Sequence, residues 1–412
     1  MPGFDFDAVI LGAGAAGLMA AVHAAERGRR VLLLEKGKKP GVKILMSGGT
    51  RCNITHDCDA RGIVAAFGKN GAFLHSALAA LGPRDVIAFF EAEGVATKVE
   101  DTGKIFPVSD RALDVLNALL RRLERAGVRP SVNEPALDVA PLPDGGFRVA
   151  TPVRQVTCEH VLITTGGLSY PGCGTTGDGY GFAKKFGHTV TPTRPALVPL
   201  TVNAGWVPEL KGITVPHAGL KVLDPAGKTL TARGGSLLFA HFGLTGPAPL
   251  DVSRAVSGHP QPTTLTLEMD LLPGTPEPAY DDFLRTESVA QGKRQLAGVM
   301  SECLPRRVCD QLLALAGLPA DRTAAALSKA DRAKLVGLTK RLRVPLRGTL
   351  GYEKAEVTAG GVSLDEVDGR TMQSKRHPGL YLAGEVLDLD GWIGGYNFQA
   401  AWSTGWAAGG RI

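Results

Sequence analysis

The chain opens on a continuous β-prone run, Phe6-Asp7-Ala8-Val9-Ile10-Leu11, the pattern of a strand covered on both faces. Gly12 to Gly17 then turns the chain. Leu18 to Arg27 is alanine-rich and helical, and Gly28 ends that helix. Val31-Leu32-Leu33-Leu34 is a second buried strand, closed by Glu35, which completes one βαβ unit. Residues 36–56 read as a glycine-containing loop. Residues 75–93 and 110–126 have helical periodicity, and Val95 to Pro107 between them is strand-like with a turn at Asp101-Thr102-Gly103. Gly145-Gly146 marks a hairpin turn between short strands around 136–140 and 147–158. Val161-Leu162-Ile163-Thr164 is a further buried strand, ending at Gly166-Gly167.

From about residue 190 the pattern changes. Residues 191–272 are rich in Pro, Thr, Val and Gly with short alternating runs, which predicts antiparallel β structure in a small barrel. Residues 273–280 look like a linker, and 281–343 carry helical spacing. After Pro345 the glycine-rich, strand-like pattern returns. The predicted organisation is an α/β, Rossmann-like domain over 1–190 and 346–412. It is interrupted by a β-rich, barrel-like insertion over 191–275 and a helical subdomain over 276–345.

Composition narrows the class. With 412 residues, 44% apolar and 21% charged, the chain is no disordered segment. Glycine is in excess, 53 residues in all, and it clusters where a backbone could approach a ligand closely. The net charge of +6 is a mild basic excess that suits an anionic small molecule, RNA or a solvated surface. The cysteines Cys52, Cys58, Cys158, Cys173, Cys303 and Cys309 form no CxxC pair, which predicts reduced thiols and a cytoplasmic protein. The uncharged stretch Ala8 to Ala25 could pass for a targeting segment. The leader before it carries only Asp5 and Asp7, however, and three glycines interrupt it, so a buried strand, turn and helix are expected instead.

The candidate chemistry starts at Gly12-Ala13-Gly14-Ala15-Ala16-Gly17, a complete G-x-G-x-x-G between a buried strand and a helix. In such a turn Gly12 makes the bend, Gly14 lets a pyrophosphate approach, and Gly17 lets helix and strand pack closely. The helix start offers N–H groups to phosphates. Glu35 is placed to accept hydrogen bonds from ribose hydroxyls and to repel a 2′-phosphate, which leaves NAD or FAD. A fingerprint this early, with the domain completed only at the far end of the chain, points to FAD. A second match, Gly172 to Gly177, lies too far from its strand to predict another dinucleotide site. In Lys43 to Thr55, Lys43 and Arg51 could meet phosphates or a flavin carbonyl. Cys52 is either a redox thiol or a small packing residue. In the last block, Glu385 or Asp388 could bind ribityl hydroxyls, and backbone N–H groups at 395–398 could face a flavin edge. Tyr170, His241 and Tyr396 are candidate substrate-side residues, with Cys52 a fourth catalytic candidate, and no metal-ligand spacing stands out.

The blocks GAGAAGLMAA, KILMSGGTRCNIT, GKIFPVSDRALDVLNAL, TTGGLSYPGCGTTGDGYGFAKKFGH, PALVPL, LLFAHFGLTGPA, AEVTAGGVSLDEV and GLYLAGEVLDLDGWIGGYNFQAAWSTGWAAG together resemble the BaiN/RdsA-type, aminoacetone-oxidase-like bacterial flavoproteins. They keep their order over almost the whole chain. The resemblance implies a glutathione-reductase-type FAD fold. Cofactor contacts would fall at Gly12, Gly14, Ala15, Ala16, Gly17, Glu35, Lys36, Lys43, Ser47, Gly48, Gly49, Arg51, Cys52 and Asn53. Later in the chain they would fall at Ala136, Thr165, Gly166, Gly384, Glu385, Asp388, Gly395, Tyr396, Asn397 and Phe398. Departures are Thr50 where Gly is frequent, Cys173 where Thr is frequent, and Phe398 where Leu is common.

The leading expectation is an FAD-dependent oxidoreductase. It would pass a hydride between a small organic substrate and flavin N5, with O2 or NAD(P)H in the second half-reaction. A small molecule is the expected partner, with neither nucleic acid nor membrane. One alternative is a disulfide-reductase-like use of Cys52 and Cys58, whose C-x5-C spacing differs from the C-x4-C of that class. Another is a flavoprotein acting on or with RNA through the basic stretch Arg332, Lys334, Lys340, Arg341, Arg343 and Arg347.

Overall fold

A computed structural model describes residues 3–412. The chain divides into two compact units. One holds the chain up to Arg194 together with Val357–Ile412, and the other is Pro195–Glu356. Each has its own apolar core.

In the first unit, β1 (Phe6–Leu11) leads through the glycine turn into α1 (Ala15–Glu26) and then β2 (Val31–Leu34). Both strands are almost wholly buried, as continuous apolar runs in a parallel sheet should be. β1 lies between β2 and the strand Gln155–Ile163, both parallel to it, and Leu380–Leu382 adds on the far side, also parallel. The registers pair Leu11 with Leu34 and Ile163, and Ile163 with Leu382, so four strands end at one level. Open α/β sheets bind ligands in the crevice beyond such carboxyl ends. Gly12, Glu35, Thr164 and Ala383 are the next residues on the four strands.

The C-terminal helix Tyr396–Gly409 lies along α1. Close approach needs glycine there: a β-carbon at Gly405 or Gly409 would run into the Ala16 or Ala20 carbonyl oxygen. A small antiparallel sheet joins Thr55–His56, Lys104–Pro107 and Thr97–Val99.

Three local expectations change. The loop predicted over 36–56 contains a helix, α2 (Val42–Thr50), which loses helical geometry at Ser47, Gly48 and Gly49. The helical stretch 75–93 is two helices, His75–Ala80 and Pro83–Ala92, because Pro83 cannot continue the first but suits the first turn of the second. The stretch 147–158 breaks at a turn containing Pro152 into Phe147–Ala150 and the start of Gln155–Ile163.

The second unit is a closed antiparallel barrel. Its strands run in the order Leu200–Val202, Gly243–Thr245, Thr229–Ala240, Thr214–Leu223, Thr266–Asp270 and Leu342–Thr349. The helices Glu277–Ala290, Leu296–Met300, Arg306–Ala316 and Lys329–Lys340 lie between its last two strands in sequence. The 345/346 boundary read from the sequence therefore falls inside the strand Leu342–Thr349, whose alternating buried and exposed positions close the barrel.

Candidate functional site

The glycine turn has the division of labour that a pyrophosphate cradle requires. Gly12 has φ +102°, and a β-carbon there would stand 2.8 Å from the Thr164 carbonyl oxygen. A β-carbon at Gly17 would collide with the Gly12 carbonyl oxygen. At Gly14 it would meet nothing within 4 Å. Two glycines thus build the bend and the third opens it. Gly14 caps α1 without a side-chain bond, and the first turn of the helix carries no acidic residue of its own. Thr164 holds the bend from below, its hydroxyl donating to the carbonyls of Leu11 and Gly12 at 2.9 and 2.8 Å.

Glu35 stands beside this turn. Its carboxylate accepts from the backbone N–H of Ala13 at 3.1 Å and of Gly37 at 2.7 Å. The segment carrying Ala136 is tied alongside, with Glu134 N–H donating to Glu35 O and Asn133 N–H to Gly37 O. Glu134 is itself buried, and burial works to raise its carboxyl. Arg154, Ser131 and Thr151 donate to it and hold it below its ordinary value. The buried Thr165 hydroxyl has no hydrogen-bond partner among the described residues. An open glycine, an uncapped helix start, a carboxylate at the end of the second strand and an orphaned buried hydroxyl together fit the ADP half of FAD. Lys36 is engaged elsewhere, donating to Thr176 Oγ1 and pairing with Asp178.

The α2 segment joins this turn to the rest of the site, since Gly41 N–H donates to Ala13 O at 2.8 Å. Lys43 Nζ donates to Ser169 Oγ and to Glu385, each at 2.7 Å. Glu385 also accepts from Ser169 Oγ at 2.7 Å and Thr358 N–H at 3.1 Å. Thr358 Oγ1 in turn accepts from the backbone N–H groups of Leu168 and Ser169. This polar knot fixes α2, the 168–170 loop and the Gly384 turn to one another. Sequence reasoning missed Ser169 and Thr358. Their only signal was membership of the blocks TTGGLSYPG and AEVTAGG.

The RCN block meets the GGYN block directly. With its amide turned to satisfy its neighbours, Asn53 accepts from Gly395 N–H at 2.9 Å and donates to Thr55 O at 2.9 Å. Gly395, at φ +93°, has no room for a β-carbon against Thr55 O. His56 Nδ1 lies 2.9 Å from Gly394 O, and its ring stacks on Tyr396 at 4.5 Å between centroids. Asn397 accepts from Gly391 N–H and donates to the Gly391 and Trp392 carbonyls, so its amide serves the preceding loop. Phe398 stacks on Trp402. The Asp388 carboxylate is half-buried and has no hydrogen-bond partner among the described residues.

The remaining expected residues have neighbours of their own. Ser47 donates to Ile44 O, and Gly48 has φ +56° against the Phe106 ring. Gly49 continues the left-handed turn. The Arg51 guanidinium pairs with Glu100 at 2.6 Å over the Phe106 ring. Cys52 is fully buried at φ +63°, and burial pushes its thiol up to about 12. Cys58 is pushed to about 11, again chiefly by burial, and all six cysteines are free. Burial thus disfavours the thiolate form of both residues. Tyr170 is strained, with φ 54° and ψ 63°. His241 is an exposed residue of the barrel unit, set edge-on to Phe242.

The second glycine cluster does not form a βαβ turn. The strand before it ends at Ile163, the helix after it starts at Asp178, and the next strand, Val190–Ala196, pairs in a separate two-stranded sheet with Val357–Val362. The basic stretch of the barrel unit is largely neutralised. Arg332 pairs with Asp281, Lys340 with Asp270, Arg341 with Glu277 and Arg343 with Glu268, while Lys334 donates to Ala316 O.

The model of the HI0933-like protein Rossmann domain matches residues 6–411. The chain belongs to this family. The family includes FAD-dependent oxidoreductases of the BaiN/RdsA type. The chain is 38% identical over 410 residues to the ribosomal RNA dihydrouridine synthase of Escherichia coli, covering 98% of this chain and 96% of that one. It is 34% identical to the protein of the same name in Haemophilus influenzae, over 97% and 96% of the two chains. It is 30% identical to the 3-dehydro-bile acid delta(4,6)-reductase of Clostridium scindens, over 97% of each chain. Among solved structures, the 3-ketosteroid-delta4-(5alpha)-dehydrogenase of Rhodococcus jostii shares the fold. Its TM-score is 0.51 at 16% identity, with 99% of this chain and 98% of that chain covered. Among the described residues no single helix is long and apolar enough to cross a membrane.

Proposed function

We propose that this FAD-dependent oxidoreductase saturates a carbon–carbon double bond conjugated to a carbonyl, and that its substrate is a uracil of ribosomal RNA. The observation that carries the reading is full-length relatedness to proteins named for two such reactions. Forming dihydrouridine adds two hydrogens across the uracil double bond, next to a carbonyl. Reducing a 3-dehydro, delta(4,6) bile acid does the same in a steroid ring. Uracil is favoured because the relatives at 38% and 34% identity carry that name. A free small-molecule enone, the substrate class read from the sequence, is the second reading, favoured by the relative at 30%.

Bound FAD, reduced by a nicotinamide, supplies the hydride. The chain's own part is to hold and orient. The open backbone at Gly14 and the start of α1 receive the pyrophosphate, and Glu35 takes the ribose, with Thr165, Gly166 and Ala136 alongside. Asp388 offers a free carboxylate to the ribityl hydroxyls. The Lys43–Ser169–Glu385 knot and the Asn53–Gly395 bond would hold the segments that flank a bound flavin.

The test mixes purified holoenzyme anaerobically with NADH or NADPH, then with unmodified ribosomal RNA transcripts or a 3-oxo-4,6-diene steroid. The expected result is bleaching of the flavin by a nicotinamide, its return on adding RNA, and a gain of two hydrogens on one uridine by mass spectrometry. Return with the steroid alone would support the second reading. Return with neither would refute the proposal.

A further inference from the structure

We propose that a groove on the first unit takes a nucleotide of the RNA other than the uridine that is reduced, with its phosphate on Arg370 and Lys375 and its base on Phe73. The inference rests on the ribosomal RNA reading above. The uracil ring is the same at every uridine of a strand, so selecting one of them requires contacts to its neighbours as well.

The groove has a volume of about 430 Å³, within the range of small-ligand sites. Phe73, Ser76, Asp365, Asp368, Arg370 and Lys375 line it. One wall is the 3-10 turn Gly68–Leu74 with the start of the helix His75–Ala80. The other is a tight hairpin. Its arms meet at Val367 and Ser374, Asp368 N–H donates to Gln373 O at 2.9 Å, and Gly369 and Arg370 form its tip. The two walls touch, since a β-carbon at Gly369 would stand 3.1 Å from Phe73 O and 3.5 Å from its ring. Glu366 anchors the base of the hairpin, accepting from Thr189 N–H and Arg376. The groove is therefore built on fixed backbone.

Its polar groups are unequally committed. Asp368 Oδ1 caps the hairpin tip, accepting from the backbone N–H of Arg370 at 2.7 Å and of Thr371 at 3.4 Å. Lys375 Nζ gives one proton to Asp365 O at 3.0 Å and has two to spare. The Arg370 guanidinium, the Asp365 carboxylate and the Ser76 hydroxyl have no hydrogen-bond or ion-pair partner among the described residues. The two cations suit a phosphate, the Phe73 ring suits the face of a base, and Asp365 with Ser76 suits the N–H groups on its edge. A bare anion would be repelled by Asp365, and an apolar steroid would leave every charged group unmet. A nucleotide uses the whole lining.

The position fits as well. Asn70, on the same turn as Phe73, donates to Asp388 O at 2.8 Å. Asp388 N–H donates to Val362 O at 3.0 Å, two residues before Leu364, which also lines the groove. The segments that form the groove thus clasp the backbone of the residue proposed to meet the ribityl chain, and a strand seated there lies beside the flavin segment.

The experiment titrates holoenzyme into fluorescently labelled, unmodified ribosomal RNA transcripts at several salt concentrations and follows anisotropy. It compares wild type, Arg370→Gln, Phe73→Leu, Asp365→Ala and Arg148→Gln, the last removing an exposed charge on the distant strand Phe147–Ala150. Arg370→Gln is expected to raise the RNA dissociation constant about tenfold and to reduce the salt slope by about one. Phe73→Leu should raise the constant about tenfold with the slope unchanged. Asp365→Ala should weaken binding, and Arg148→Gln should bind as wild type does. The FAD dissociation constant should be the same in all five. Wild-type RNA affinity in Arg370→Gln or Phe73→Leu would overturn the groove as a nucleotide site. Tighter binding by Asp365→Ala, or an equal loss in Arg148→Gln, would do the same by reducing it to unspecific charge attraction. Loss of NADPH affinity in place of RNA affinity would also overturn it and assign the groove to the nicotinamide dinucleotide. Each of these results leaves the reductase reading standing. A wild-type holoenzyme that binds no transcript and passes electrons only to the steroid would overturn the RNA reading and this inference together.

Discussion

Gly14 and Gly17 differ by what a methyl group would meet, and this separates binding from folding. Gly14 has φ −80°, which any residue adopts, and open space in front of it. Gly14→Val should therefore fold while raising the FAD dissociation constant at least about tenfold, a loss of roughly 1.4 kcal/mol. Gly17→Ala forces a carbon onto the Gly12 carbonyl and should cost about 3 kcal/mol of stability or more. Cofactor titration and urea unfolding on the two variants read the two effects apart. Cys52 gives a prediction of the opposite kind. Its thiol is sealed in and held protonated, so Cys52→Ala should keep the wild-type turnover within about twofold, and a thiol reagent should not label Cys52 in the native protein.

At this scale the bend at Gly12 and the close packing at Gly17 were legible in the sequence, because both positions leave no room for a β-carbon. Arg51 misled. A cation beside a glycine loop suggests an anion partner, and nothing local reveals that Glu100, far along the chain, already supplies one. His56 was silent for a similar reason. Its partners Gly394 and Tyr396 come from the other end of the chain.

Between elements, polar knots tie segments that sequence separates. One lies away from the cofactor residues. Buried His188 bonds Ser374 Oγ through Nε2 at 2.7 Å and faces Glu366 through Nδ1 at 3.3 Å. Glu366 also accepts from Thr189 and Arg376. Burial lowers the His188 imidazole below its ordinary 6.5, against the pull of Glu366. Burial works to raise the Glu366 carboxyl, but Arg376 and Thr189 outweigh it and bring it from 4.5 to about 2. Both groups therefore take up protons more readily in the unfolded chain, and acid should destabilise the protein. The His188 contribution should begin to fade as pH falls through 6.5, and the Glu366 contribution between 4.5 and about 2. Urea midpoints measured across this range should fall with pH. His188→Gln should flatten the upper part of the decline and Glu366→Gln the lower part. No period or spacing announced this clamp, because hydrogen-bonded pairs of high sequence separation leave no local pattern. The βαβ unit, by contrast, was readable because its strands are apolar on both faces and its helix is short-range.

In the whole molecule, the two apolar cores are built from separate stretches of chain, one from residues on either side of the insertion and one from within it. Val190–Ala196 and Val357–Val362, which carry the chain out and back, pair side by side, and Thr191 is bonded to Gly361 in both directions. Replacing Pro195–Glu356 by a short Gly/Ser linker should leave a folded remnant that still binds FAD, as cofactor fluorescence and thermal unfolding would show. The insertion itself was visible as a change of texture near residue 190. Its end was misplaced because Leu342–Thr349 alternates like any strand and says nothing of which sheet it joins.

The helix Tyr396–Gly409 seats its glycines on the backbone of α1, the first helix made. A nascent chain therefore makes its glycine turn long before the buttress that steadies it, which is complete only once translation has passed residue 409. Flavin capture should therefore wait for that buttress, and a chain cut short anywhere before it should emerge colourless.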